Sequence, residues 1–274
     1  MGRDAHRTES GGSDSIQVHH AEAPPCLMTH LWRSAVHSDT AAVMPVAAMV
    51  LIPSGSFVMG DEHGRPDERP AHSVYVGAFE MAILPVTNAE YARFVEATAH
   101  EPPRFFDDAR FNDRRQPVVG VSWFDAAAYC TWLSEHTGAG WRLPTEAERE
   151  KAARGGVEGQ HYPWGDDDGP LARADQDAPN VVGLSGPYGY GLYDMGYNVH
   201  EWCSDWYDAT YYARSPDDPC GPESGVRRAS RGGAWRHQVK VARCAARSSL
   251  DPTFRYNDYG FRVVRSVDRS PAQA

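Results

Sequence analysis

The sequence predicts an α+β fold, in which one compact domain contains little regular secondary structure. The 274 residues include 25 Gly, 20 Pro and 8 Trp, a composition typical of a loop-rich chain whose core is built from aromatic side chains. Short apolar runs that resemble strands lie towards both ends of the chain, and helical capping signals lie between them. No repeat of roughly 20–50 residues is present, which excludes a solenoid.

The chain divides into a flexible N-terminal tail over residues 1–45, a folded domain over 46–266 and a C-terminal tail over 267–274. The first tail is polar and lacks the uninterrupted apolar core of a secretory signal, so we expect a cytoplasmic protein. The apolar run 41–52 is too short and too often interrupted by proline to span a bilayer, and it predicts the first strand.

Charge and cysteine content exclude several classes of partner and site. A net charge of −10 argues against a nucleic-acid or anionic membrane surface, which leaves a small molecule or a peptide as the expected partner. The five cysteines form no CxxC pair, so a zinc ribbon and a dense disulfide framework are both disfavoured. The sequence does not indicate an oligomeric state.

Helices and strands can be placed from local signals. Three hydroxyl residues, each followed three positions later by an acidic residue, form capping boxes and predict helices over 88–97, 123–136 and 146–154. Apolar or alternating runs predict strands at 50–52, 57–60, 72–79 and 263–264, and a further strand interrupted by a double glycine within 227–247.

Residues 189–207 combine many aromatic side chains with oxygen donors and have neither a helical nor a strand period. Asn198, the Val199 carbonyl and Glu201 provide hard oxygen ligands within four residues, a spacing that suits Ca²⁺. A second oxygen-rich patch, at Asp175, precedes them. From the residues alone, an equal alternative is an aromatic hairpin in which Asn198 and Glu201 only cap turns.

Seven segments together carry a family resemblance. They read MVLIPSGSFVMG at 49–60, PVTNAEY at 85–91, PVVGVSW at 117–123, RLPTEAE at 142–148, GLYDM at 191–195, RGGAW at 231–235 and GFR at 260–262. In this order the chain resembles the formylglycine-generating enzyme, or sulfatase-modifying factor, superfamily from about residue 49 to 265. The resemblance implies a variant C-type-lectin-like fold that commonly holds Ca²⁺.

Two departures from the family pattern bear on the chemistry. The usual Gly-Asn-Val-Trp-Glu-Trp segment here reads YNVHEW over 197–202, so the calcium-type oxygens are kept while His200 replaces a tryptophan. The resemblance places two Cu(I)-binding cysteines after Trp235, where soft thiolates suit that ion. Here His237 stands at the first of these positions and the second cysteine is absent, whereas Cys244 matches a structural cysteine of some relatives.

Three functional hypotheses follow from the resemblance. The first is an oxidoreductase, using O₂, that acts on a small molecule or peptide in a biosynthetic or modification pathway. The second is a calcium-stabilised, lectin-like binding module without chemistry. The third is oxidation of cysteine to formylglycine with an atypical His237–Cys244 metal pair. If iron or copper binds, the imidazole ligands are expected to be His200 and His237, or else others such as His63, His72 and His161.

The residues expected at the site come from two stretches. Those expected to be catalytic are Trp235, His237, Gln238, Arg231 and Arg247, the two arginines by recognising an anion through bidentate contacts. Those expected to bind substrate are Trp202, Trp206 and His200, with the tryptophans forming stacking walls. An equally strong alternative for the two arginines is an internal ion pair with Asp194 or Asp205.

Overall fold

Three helices begin where their capping boxes predict them. The computed structural model describes residues 48–166, 176–214 and 217–267, and its helices are α1 (Asn88–Thr98), α2 (Trp123–Thr137) and α3 (Glu146–Arg154). Each N-cap hydroxyl accepts a hydrogen bond from the backbone of the third helical residue, and that residue's carboxylate bonds back to the cap backbone. Two of the helices end one residue later than predicted, and the third ends as predicted.

Ten short strands form three sheets in the described part of the chain. The first sheet has the order β1-β4-β10-β5, the second pairs β2 with β3, and the third has the order β8-β7-β6-β9. The strands are β1 (Met49–Ile52), β2 (Gly55–Met59), β3 (His72–Val76), β4 (Phe79–Ala82), β5 (Trp141–Arg142), β6 (His200–Trp206), β7 (Arg228–Arg231), β8 (Ser248–Leu250), β9 (Tyr259–Gly260) and β10 (Val264–Ser266). The strand predicted at 72–79 is therefore two strands, β3 and β4.

The third sheet carries the residues of interest. Strand β6 pairs antiparallel with β7 but parallel with β9, in a register that sets His200 opposite Tyr259. Strand β7 ends at a double glycine, where Gly232 and Gly233 both have positive φ values of 96° and 66°. This turn directs the chain so that the Trp235 amide donates to the Asn198 carbonyl at 3.0 Å. The segment after β7 is thereby held against the start of β6.

Helix α3 is unusual because all nine of its residues are buried, although most are charged. Buried charges are stabilised only when paired. Glu146, at the first position of the helix, accepts bidentate hydrogen bonds from Arg247, both at 2.8 Å, and one at 2.9 Å from Arg231. Arg149 pairs with Glu201 at 2.7 Å. The centre of the domain is thus an ion-pair network rather than a purely apolar core.

Apolar clusters surround this network. The larger one joins residues of β1–β4, α3 and the loop before β6, including Ile52, Phe79 and Leu192, with the buried Cys244. A second, smaller cluster contains Trp235 and Val199. Cys130 lies buried on α2, where its free thiol packs in the core. Within the described ranges, no helix is both long and apolar enough to span a membrane.

Candidate active site

Two histidines from distant parts of the chain meet beside a cavity of about 340 Å³. His200 is the first residue of β6, and His237 lies in the turn after the double glycine. The Nε2 atom of His200 lies 3.0 Å from Nδ1 of His237. His200 is 2% exposed, whereas the side chain of His237 is 34% exposed. The His200 ring therefore lies inside the fold, and the His237 ring lies between the His200 ring and solvent.

Asp258 is the third member of the group, and the sequence did not indicate it. It immediately precedes β9, and its carbonyl accepts the His200 amide at 2.9 Å, so the parallel pairing of β6 and β9 places it beside the histidines. One Asp258 oxygen, Oδ2, lies 3.5 Å from His237 Nε2 and 3.7 Å from Arg236 Nε. The other, Oδ1, is buried and has no hydrogen-bond partner.

Burial sets the protonation of this group. Burial, reinforced by the charges of His237 and Arg236, lowers the pKa of His200 to about 3. Burial also lowers the pKa of His237, against an opposing effect of Asp258. Burial raises the pKa of Asp258, against the neighbouring Arg236 and His237. Both imidazoles are consequently neutral near pH 7, with nitrogen lone pairs available as metal ligands or proton acceptors.

Aromatic and polar side chains complete the cavity. The ring of Tyr259 stacks on His200, with centroids 4.7 Å apart at 24°. The Tyr207 hydroxyl donates to Asp67 at 2.7 Å, and the guanidinium of Arg65 contacts the same carboxylate at 3.3 Å. The residues that line the cavity are Arg65, Asp67, His200, Tyr207, His237, Val241, Arg247, Ser248, Ser249 and Tyr259. Most of them are polar, which suits a small polar ligand or a peptide main chain.

The structure gives the two predicted arginines a different role. Arg231 and Arg247 are 2% and 1% exposed, and both bind Glu146, with Arg231 also bound to Glu150 at 2.9 Å. Their donors are therefore occupied inside the fold, so we correct the expected role in anion recognition. The internal ion pair is present, but its partner is Glu146 and not Asp194 or Asp205.

The predicted tryptophans do not form stacking walls of the cavity. Trp202 is fully buried, and its indole N–H donates to the Val121 carbonyl at 3.1 Å. Trp206 instead stacks on the guanidinium of Arg228, 3.6 Å from the ring centroid. Trp235 packs in the smaller apolar cluster. Gln238 is exposed and lies outside the cavity lining. Of the expected site residues that the structure describes, only His200, His237 and Arg247 line the cavity.

The oxygens expected to bind calcium are divided between two environments. Both carboxylate oxygens of Glu201 accept from arginines, from Arg149 at 2.7 Å and from Arg262 at 3.0 and 3.2 Å. Burial alone would raise the pKa of Glu201, but these two guanidinium groups outweigh it and lower the pKa. We therefore correct Glu201 from a calcium ligand to the acceptor of a buried ion-pair network. Two positive charges at the same oxygens oppose a third cation.

Asn198 and Val199 are also engaged within the fold. The Asn198 side-chain oxygen accepts the Asn180 amide at 3.0 Å, and Val199 is buried in the smaller apolar cluster. Asp175 lies outside the described residues. A calcium ion at Asn198 and Val199 remains a prediction.

The other histidines suggested as metal ligands, and Cys244, do not line the cavity beside His200 and His237. His63 and His161 are exposed and line a different cavity, and His72 contacts the Pro70 carbonyl at 2.9 Å. Cys244 is buried in the larger apolar cluster, where burial raises the pKa of its thiol to about 12. Because Cys244 does not line the cavity, the expected His237–Cys244 pair is not assembled.

Comparison with known proteins decides the family. The model of the sulfatase-modifying factor enzyme 1-like domain matches residues 34–267. The chain belongs to this FGE-sulfatase family. It is 35% identical over 292 residues to the formylglycine-generating enzyme of Streptomyces coelicolor, a match that covers 82% of this chain and 91% of that protein. The resemblance seen in the seven sequence segments is therefore confirmed.

Other similar proteins include a much longer relative and a solved structure. The chain is 37% identical over 243 residues to the serine/threonine-protein kinase pkn1 of Chlamydia pneumoniae, which covers 80% of this chain but spans only 38% of the relative's length. The solved structure of PvdO from Pseudomonas aeruginosa is 29% identical, with a TM-score of 0.72, and the match covers 82% of this chain and 96% of that one. This structural similarity confirms the predicted α+β, lectin-like fold of the FGE-sulfatase family.

Proposed function

We propose that this chain is an oxidoreductase of the FGE-sulfatase family, that it uses O₂, and that its substrate is a small molecule or a peptide. The observation that carries the proposal is the His200–His237 pair at the cavity. Two neutral imidazoles with a buried carboxylate beside them provide groups for metal binding or proton transfer. They lie in the two segments where the sequence departs from the family pattern, so the chemistry is expected to differ from that of the named relatives.

The similarity to formylglycine-generating enzymes supports an oxidative reaction in general, but the residues argue against cysteine oxidation by a thiolate-bound copper. Cys244 is a buried thiol with a raised pKa, and no described cysteine lines the cavity. Soft thiolate ligands for Cu(I) are thus not provided there. The kinase name of the chlamydial relatives belongs to much longer proteins and gives no activity to this domain.

The proposal is tested by oxygen consumption after anaerobic incubation with Fe(II) or Cu(I). The probes are ascorbate, dithiothreitol and a short cysteine-containing peptide, each measured with an oxygen electrode. We expect wild-type protein to consume O₂ faster than His237→Ala with at least one probe. His161→Ala is the matched control, because this exposed histidine lines a different cavity and should behave as wild type.

Equal rates for wild type and His237→Ala with every probe would contradict the proposal. The calcium-stabilised binding module would then be the better account. In that case, equilibrium dialysis with calcium should show binding to wild-type protein, and Asn198→Ala should weaken it. A cytoplasmic location is part of the proposal.

A further inference from the structure

We propose that His200, His237 and Asp258 bind one divalent metal ion of the Fe(II) class. The inference deepens the proposed function and rests on it for what the metal does, although the binding of the ion does not require it. Two imidazoles and one carboxylate are the donor set typical of non-haem Fe(II) sites. The copper site of the family uses a different donor set, and this chain lacks its cysteines.

The spacing of the donor atoms fits a single ion. One atom from each of the three residues can be chosen so that all three lie within 4.8 Å of one another. Ligands about 2.1 Å from a common ion lie about 3 Å apart when they are adjacent and about 4.2 Å apart when opposite. The 3.0 Å between His200 Nε2 and His237 Nδ1 suits two adjacent ligands. Asp258 would complete the set by a rotation of its side chain, since its Oδ2 atom lies 3.5 Å from the other ring nitrogen of His237, Nε2.

A buried carboxylate oxygen without a hydrogen-bond partner gives a second, independent indication of a metal site. Asp258 is 3% exposed, and its Oδ1 atom has no hydrogen-bond partner. A buried carboxylate is normally bonded to a donor or to a cation, because removing it from water is otherwise costly. The nitrogen donors of His237 and Arg236 are 3.5 and 3.7 Å from the other oxygen, beyond a good hydrogen bond. A metal ion between the three side chains would supply the missing partner.

The surroundings hold the ligands and leave a way in. The backbone N–H of His200 donates a hydrogen bond to the Asp258 carbonyl, and the ring of Tyr259 stacks on the His200 ring. Two of the three ligands are therefore held together through the backbone. His237 is half-buried and lines the open cavity together with His200. An ion can therefore enter from solvent through this cavity.

Metal binding is measured on the full-length protein without an affinity tag, after treatment with a chelator and under anaerobic conditions. The probes are Fe(II), followed by equilibrium dialysis and elemental analysis, and Co(II), followed by its visible absorption. We expect one tightly bound equivalent in wild type. We expect His237→Ala and Asp258→Asn to weaken binding at least tenfold and to abolish the Co(II) spectrum.

Two controls keep the result specific. The double variant His19→Ala/His20→Ala removes adjacent histidines of the N-terminal tail, and His161→Ala removes an exposed histidine elsewhere. Both should bind as wild type does. His200→Ala is avoided as the main variant because the buried ring contributes to packing. Circular dichroism and thermal unfolding confirm that the half-exposed His237→Ala and the isosteric Asp258→Asn are folded.

The possible outcomes separate this inference from the proposed function. Wild type that binds no Fe(II) or Co(II), or folded His237→Ala and Asp258→Asn variants that bind as tightly as wild type, would overturn the metal site. Specific binding without any O₂ consumption would leave the site standing and would contradict only the oxidative function. Oxygen consumption that depends on His237 but occurs without bound metal would overturn the metal site and would leave the oxidative function standing.

Discussion

The Nε2 atom of His200 and the Nδ1 atom of His237 lie 3.0 Å apart, although 37 residues separate them in the sequence. The backbone explains why they meet. The double glycine after β7 returns the chain so that the Trp235 amide bonds to Asn198, two residues before His200. The parallel pairing of β6 and β9 then adds Asp258 to the same place. Two imidazoles and a carboxylate are thus brought together from three segments of the domain.

Glu201 is predicted to stabilise the fold and not to hold calcium. Replacing it with Gln would leave Arg149 and Arg262 buried without their counter-charge, and both are fully buried. Breaking a buried ion pair by removing one partner typically costs about 3–5 kcal/mol. We expect a loss of that size in the free energy of unfolding measured in urea. Asp108→Ala, which breaks an exposed pair with Arg110, should cause no measurable change. Equal stability of Glu201→Gln and wild type would refute this role.

Arg247 is also predicted to be structural. In Arg247→Lys the bidentate contact with Glu146 is lost, because an ammonium group cannot reproduce the planar fork of the guanidinium. We expect the free energy of unfolding to fall by about 2–4 kcal/mol, as for other broken buried networks. Thermal and urea unfolding measure this. A variant with wild-type stability but weakened binding of an anionic ligand would restore the role that the sequence suggested.

The stability of the protein should depend on pH through Asp205. Burial, with the nearby Glu146, raises the pKa of Asp205 to about 7, above its ordinary value near 4. A raised folded-state pKa means that the native state holds the proton more tightly. The stabilising effect is therefore complete below the unfolded pKa and is lost as the pH rises through about 7. At pH 8, ionisation of Asp205 is expected to lower the free energy of unfolding by on the order of 4 kcal/mol relative to acidic pH.

Asp205→Asn tests this expectation, since an amide resembles the protonated acid and can still accept the Glu146 amide that now binds Asp205 at 2.9 Å. The stability of the variant relative to wild type should increase between pH 4 and pH 8. Urea unfolding at several pH values gives the comparison. A constant difference across this range would mean that Asp205 is ionised in the native protein throughout.

Tyr259 is predicted to position His200 through its ring. Tyr259→Phe should keep the affinity for Co(II), because the hydroxyl makes only a 3.5 Å contact with Ser230. Tyr259→Leu removes the aromatic face stacked on His200 and should weaken Co(II) binding severalfold. Titration of both folded variants gives the two affinities. If both lose affinity equally, the hydroxyl and not the ring matters.

Local signals predicted the helices well because a capping box is contained within four residues. Thr87, Ser122 and Thr145 begin helices where expected. The same signals could not show that α3 is buried, because a helix rich in acidic and basic residues normally lies on the surface. Its burial depends on Arg231 and Arg247, which come from distant segments. A sequence does not distinguish an arginine that meets a buried carboxylate from one that awaits a ligand.

Two of the three residues of the candidate site could be predicted, and the third depended on strand pairing. His200 and His237 were visible as departures from a family pattern. Asp258 was missed because its one local signal, a position directly before the Tyr-Gly-Phe-Arg segment, does not by itself indicate a ligand. Its proximity to His200 arises from the parallel contact between β6 and the two-residue strand β9. Trp202 and Trp235 were misplaced because large aromatic residues are as common in cores as in binding sites.

Anomalous X-ray scattering at the iron absorption edge, from crystals of the full-length protein loaded anaerobically with Fe(II), tests the central claim most directly. We predict one strong peak about 2–2.3 Å from the donor atoms of His200, His237 and Asp258. The peak should be absent from crystals of Asp258→Asn. A map without a peak at these residues, or with iron bound only elsewhere in the chain, would contradict the account.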